Sequence, residues 1–272
     1  MRNYLRVAKR LVLVATPAIA SSILTPLPSQ AATFATSEGQ AFFFNFSQNP
    51  SSVTTDTDTY TTTAAKDSFA YAEATADAHF LITPAVATNP TLSLALGEGR
   101  DYLGLAESQA SVIGYFNVKA GTDFSFKFST ELNLSTSIEN PPAENVSAVG
   151  DISFALLDLD HDKVLDFFSL VGNLNTLGDD DFVAIEHSDS VTFIEPESES
   201  SFGGNNEFAR SNVLGNLQRS FTNTTNLALV EIKRNQTRVQ APEPSSVLAL
   251  LAPGAVIGTF LKRRGKKQTS EV

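Results

Sequence analysis

Apolar and polar residues alternate at period two through most of the chain between its two ends. The clearest stretch is Asp123 to Thr136, where Phe124, Phe126, Phe128, Leu132 and Leu134 are separated by Ser, Lys, Thr and Asn. Successive side chains of a strand point to opposite faces, so this spacing predicts a strand with one buried face. Gln40 to Ser47 sets Phe42, Phe44 and Phe46 on one face, and Phe69 to Ile82 alternates through Phe69, Tyr71, Phe80 and Ile82. Glu107 to Lys119 starts polar and turns apolar from Val112 to Val118. Asp151 to Leu157, Val164 to Val171 and Phe182 to Ile194 are further strand candidates. Asn226 to Val239 runs through Leu227, Leu229, Val230 and Ile232 to a charged end.

Turn signals punctuate these runs: Asn49-Pro50, Gly97 to Gly99, Ala120-Gly121-Thr122, Asn140-Pro141-Pro142, Gly178 to Asp181 and Gly203-Gly204-Asn205-Asn206. Two low-complexity stretches, the Thr/Asp-rich Val53 to Thr63 and the Glu/Ser-rich Glu195 to Ser201, read as exposed loops. The expected fold class is all-β, an antiparallel β-sandwich of jelly-roll type.

The two ends break the pattern. Met1 to Arg10 carries Arg2, Arg6, Lys9 and Arg10 with no acid, and Leu11 to Leu24 is mostly apolar. Ser29 and Ala31 then supply small residues at minus three and minus one of a cleavage before Ala32. That order predicts a secretory signal peptide over 1–31, removed by signal peptidase. The apolar core is short for a membrane span, which needs about 20 residues. At the other end Ala241 to Ser246 is polar and proline-rich, and Val247 to Leu261 is an apolar stretch predicted to be helical. Lys262, Arg263, Arg264, Lys266 and Lys267 follow as a basic cluster, which the positive-inside rule keeps on the cytoplasmic side. The body, 32–240, is then expected outside the inner membrane, with 241–272 as its anchor.

Pro242-Glu243-Pro244, the apolar segment and the basic cluster, in that order at the C-terminus, resemble the PEP-CTERM sorting signal of Gram-negative bacteria. The resemblance covers only the tail. It implies recognition by exosortase, a membrane-embedded transpeptidase-like enzyme, with cleavage near the motif. It also implies an envelope or extracellular destination, often in bacteria that make exopolysaccharide.

Composition narrows the body. With no cysteine, an exported fold has no disulfides and must rest on its core. The chain holds 19 Lys and Arg against 30 Asp and Glu, net -11; nine of those bases and two of those acids lie in the ends, leaving the body 10 and 28, net -18. Such a surface repels nucleic acid and anionic lipid and attracts cations. There is no tryptophan and only five tyrosines against 20 phenylalanines. A sugar-stacking face usually needs Trp or Tyr, with a flat ring and a polar edge.

The best candidate for chemistry is Asp158, Asp160, Asp162 and Asp166. Carboxylates at positions one, three, five and nine, with the Val164 carbonyl at seven, suit a calcium loop, which gathers six to eight oxygens. Position six is Lys163 where such loops have Gly, position twelve is Ser169 where they have Glu, and the flanks read as strands. A hairpin whose aspartates cap backbone groups is the competing reading. Asp179-Asp180-Asp181 could join the same ion if the chain folded back, or form an exposed turn. His79, His161 and His187 show no zinc spacing. No Ser-His-Asp order, nucleophile elbow or phosphate loop is present, and no carboxylate pair for glycoside hydrolysis stands out. The leading expectation is a non-catalytic envelope or matrix protein, with extracellular polysaccharide as a candidate partner. A calcium-stabilised carbohydrate-binding module, or a hydrolase of extracellular polysaccharide, are the alternatives.

Overall fold

A computed structural model describes residues 31–139 and 141–241; residues 1–30 of the expected signal peptide, the sorting motif, the helix expected at 247–261 and the basic cluster lie outside the described residues. Among the described residues every regular element is a strand: β1 (Ala31–Phe44), β2 (Ser52–Ala65), β3 (Phe69–Ala76), β4 (His79–Leu81), β5 (Val86–Thr88), β6 (Thr91–Gly99), β7 (Tyr102–Val118), β8 (Thr122–Ser137), β9 (Asn145–Asp158), β10 (Lys163–Thr176), β11 (Phe182–His187), β12 (Val191–Ser201), β13 (Asn206–Phe221) and β14 (Thr225–Ala241). They form two sheets with antiparallel pairing throughout. The first runs β12-β13-β8-β1, and β1 then pairs with β6, which carries β3, and near its end with β5, which carries β4. The second runs β11-β10-β9-β14-β7-β2.

The sheets face each other over a phenylalanine-rich core. Phe124, Phe126, Phe128, Leu132 and Leu134 of β8 all point inward and are buried, as alternation predicts. Across the gap Phe154 of β9 lies 5.6 Å from Phe126 and 5.0 Å from Phe128, and stacks at 5.3 Å on Phe168 of β10. Edge-to-face and offset ring pairs at these spacings add about 0.5–1.5 kcal/mol each beyond their area.

Every long strand spans the molecule between two poles. Ala32 pairs with Glu98 and Gln240 with Leu103, so both ends of the body lie at one pole, beside Asp67, Gly178 and Gly203. The turn from Asp158 to Lys163 and the turn after Val118 lie at the other.

The structure revises several expectations. Val53 to Thr63 is strand β2, and Glu195 to Ser201 belongs to strand β12. Both are exposed. β-branched threonine favours extended backbone in β2, and pairing with β13 holds the Glu/Ser run of β12 extended. The run from Phe182 to Ile194 divides between β11 and β12, which belong to different sheets. In β1 the phase is opposite to that expected. Phe43 is fully buried, while Phe42 and Phe44 face outward and stack on each other at 5.1 Å. Phe46 lies past the end of the strand, where the chain turns it back onto Phe80, Phe116 and Phe126. In β6 the inward residues are Thr91, Ser93 and Ala95, and Leu92, Leu94 and Leu96 face outward, half-buried.

Candidate functional site

The Asp158 turn closes the β9–β10 hairpin. Asp158 Oδ1 accepts the backbone N–H groups of Asp160 and His161 at 2.9 and 3.2 Å, and its Oδ2 meets His161 Nδ1 at 2.8 Å. This is an Asx-type cap of the turn, which Asp162 completes in the left-handed region at φ 53°. Asp160 points elsewhere: its two oxygens accept the backbone N–H and the side-chain amide of Asn226, each at 2.9 Å. Those bonds hold its carboxyl below the usual range. Asp166 is 2 % exposed and turned inward, where its oxygens meet Ser188 Oγ and the Arg219 guanidinium, each at 3.0 Å. The irregularity between Val164 and Asp166 sets this inward phase. The loop thus brings Asp158, Asp160 and Asp162 into one turn and sends Asp166 into the space between the sheets. Asp158, Asp160 and Asp166 each engage partners within the chain.

Asp179, Asp180 and Asp181 lie at the opposite pole. Strand β10 separates the two turns, and its 14 residues span roughly 45 Å at about 3.3 Å per residue. They cannot share an ion with the Asp158 turn. Asp181 Oδ1 accepts the Asn175 backbone N–H at 2.7 Å, and Asp180 holds the Asn175 amide at 3.1 Å. Nearby, Glu207 is buried, bonded to Thr176 Oγ1 at 2.7 Å, Thr136 Oγ1 at 3.3 Å and the Gly203 N–H at 2.8 Å. Burial first, and the charges of Glu207 and Asp180 second, push the Asp181 carboxyl up to about 6.

The largest buried polar constellation was not foreseen. On the inner face of β14, Leu227 and Leu229 are followed by Glu231, Lys233, Asn235 and Thr237, all buried, and then by Val239 and Ala241. Lys233 Nζ donates to Asn89 Oδ1 at 2.9 Å, and the amide of Asn89 donates to Glu231. Asn235 donates to Ser37 Oγ at 2.5 Å and accepts from Thr91 Oγ1 at 2.5 Å. Ser37 in turn donates to the Val149 carbonyl at 2.7 Å, and Ser93 meets Ser108 at 2.9 Å. Burial pushes the Glu231 carboxyl up to about 8 and the Lys233 amine down to about 8. Perturbed groups of this kind can mark an active site. Here Glu231, Lys233 and Asn89 are each 0 % exposed and bond to one another across the gap between the sheets. Counting by twos from Leu227 and Leu229 would have found them; the charges at 231 and 233 masked the phase.

The histidines stay apart in function: His79 meets Asp77 at 3.0 Å, His161 serves the Asp158 turn, and His187 packs on Phe193 at 4.5 Å. Among the described residues no three His, Asp or Glu side chains are grouped as a metal ion would require, and no helix is long and apolar enough to cross a membrane. Comparison with family models, with curated proteins and with solved structures gives no match. Function must therefore be argued from the residues themselves.

Proposed function

We propose that this chain is an exported, exosortase-sorted protein of the cell envelope or extracellular matrix, with a non-catalytic β-sandwich body of jelly-roll type. The signal peptide over 1–31 directs export. The tail from Pro242 to Lys267 holds the body at the inner membrane until exosortase reads Pro242-Glu243-Pro244, after which the body reaches the cell surface or the surrounding polysaccharide.

The single observation that carries this reading is that both ends of the body leave at one pole. Ala32 pairs with Glu98 and Gln240 with Leu103, on either side of one tight turn. A body tethered there can be held, or cut free, without disturbing any other strand. Strand order supports the jelly-roll assignment. A jelly roll places its eight strands in the orders one-eight-three-six and two-seven-four-five. The orders β6-β1-β8-β13 and β7-β14-β9-β10 fit if β6 is strand one and β1 takes the place of strand eight. The N-terminal strand thus fills the slot that the chain after β14 would otherwise occupy, and leaves that chain free to run to a membrane. The non-catalytic reading draws on the internal bonding of Asp158, Asp160 and Asp166 and on the full burial of Glu231 and Lys233.

The mass of the mature protein from its source cells tests the sorting. A product starting at Ala32 and ending near Pro242 is expected, and Pro242→Ala with Pro244→Ala should leave the full tail in the membrane fraction. A mature mass that retains both ends would overturn the proposal.

A further inference from the structure

Five strands end the two sheets, and three of them are blunted as edge strands usually are. β4 has three residues and β11 six. β12 carries Pro196, an irregularity between Phe193 and Glu195, and three glutamates. β3, of eight residues, and β2 carry no such device, and β2 is much the longer. It has 14 residues, pairs with β7 in one continuous register, and contains no Pro, Lys or Arg. Apart from Val53 and Thr62 it is exposed along its whole length, on both faces. Its outer edge therefore offers a long row of free backbone donors and acceptors, with almost no side chain buried to hold it in place.

We propose that β2 pairs antiparallel with β2 of a second copy of this chain, joining the two six-stranded sheets into one. The side-chain pattern of β2 is what selects a second copy. A two-fold axis perpendicular to the sheet pairs residues whose numbers share parity. Centred on Thr59, it sets Thr57 opposite Thr61 and Thr55 opposite Thr63, which makes a doubled threonine ladder on one face. On the other face it sets Asp58 opposite Tyr60 and Asp56 opposite Thr62, so each carboxylate meets a hydroxyl. Thr–Thr and carboxylate–hydroxyl pairs favour strand association, whereas like charges directly opposed disfavour it. Centring on Thr57 would oppose Asp56 to Asp58, and centring on Asp58 would oppose that residue to itself. Centring on Tyr60 shortens the overlap. The two aspartates thus act as register selectors. This pairing is independent of the sorting route proposed above.

The purified full chain should sediment as a dimer. Thr59→Lys, which brings two lysines face to face at an exposed position, should raise the dissociation constant by up to about fivefold while leaving the melting temperature of dilute, monomeric protein unchanged. The chain has no cysteine, so single cysteines report the register directly. With a short bis-maleimide, Thr59→Cys should cross-link to itself; Thr55→Cys should link to Thr63→Cys in a mixture but not to itself. Ser200→Cys on β12 is the control for random collision. Monomeric sedimentation of the wild-type chain, linking at Thr59 no faster than at Ser200, or self-linking at Thr55 would each overturn the proposal.

Discussion

Glu231→Gln should flatten the pH dependence of stability between pH 6.5 and 8. Glu231 is 0 % exposed, accepts a hydrogen bond from Asn89, and shares the inner face of β14 with Lys233. Burial, helped by Asp151 and opposed by Lys233 and Asn89, pushes its carboxyl from 4.5 up to about 8. An acid whose folded pKa lies above its unfolded value holds an extra proton in the native state. Its contribution is complete below about 4.5 and is lost as pH rises through about 8. A full proton difference gives about 1.4 kcal/mol per pH unit. Allowing for half-titration at the upper limit, Glu231 should cost about 1–2 kcal/mol between pH 6.5 and 8. Lys233 works the other way. Its amine is pushed down to about 8, so its contribution is lost as pH falls through that value; over the same interval it returns only a minor part of that loss. The net loss, about 1 kcal/mol, corresponds to a shift of about 0.5 M in the urea midpoint at a typical slope of 2–3 kcal/mol per molar. The amide of Gln keeps the acceptor for Asn89 and cannot titrate, so the variant should hold its midpoint or gain slightly. Urea unfolding at pH 6.5, 7.2 and 8 measures both. Parallel declines in the wild type and the variant would refute the assignment.

Other expectations follow from the same geometry. Phe154→Ala removes the ring between Phe43, Phe126, Phe128 and Phe168 and should cost about 3–5 kcal/mol in urea unfolding. Asp166→Asn breaks a mostly buried pair with Arg219 and should cost about 2 kcal/mol by the same assay, with no change on adding calcium. EDTA should leave the melting temperature unchanged, since the carboxylates of Asp158, Asp160 and Asp166 already engage partners within the chain. Asp181→Asn should raise the melting temperature at pH 7 and make no difference at pH 3.5. The wild-type carboxyl, pushed up to about 6, loses its contribution as pH rises through that value, and Asn removes its repulsion with Glu207 and Asp180.

The fold was legible where large apolar side chains sit at every second position. In β8 five such residues point inward together, and no other phase would bury them. It was illegible where the inner face is small or polar. In β6 the leucines occupy the outer phase, and in β2 both phases are polar, so hydropathy carries no direction. The Asp158 turn was legible as a hairpin with capping aspartates. Its distance from Asp179 to Asp181 was not, because only pairing of β10 with β9 along its length fixes the two turns at opposite poles.

The polar seam explains how β14 keeps its register despite a misleading sequence. Moved by one residue, β14 would turn Val230 and Ile232 inward and release Glu231 and Lys233 to water, which by hydropathy alone looks favourable. The same slip would expose Leu227, Leu229, Val239 and Ala241, all now buried, because every side chain changes face at once. It would also strip Asn89, Ser37 and Thr91 of their partners on β14, and a buried polar group left unpaired costs about 1–3 kcal/mol. Gly39 shows how closely the seam is fitted, since a Cβ there would lie 2.8 Å from Lys233 Cδ and 3.0 Å from Asn235 Oδ1. Apolar clusters at both ends, with Lys233 and Asn235 bonded across the gap between them, admit one phase of β14. A core of uniform hydrophobes would have been content with several offsets of two residues; this one is not.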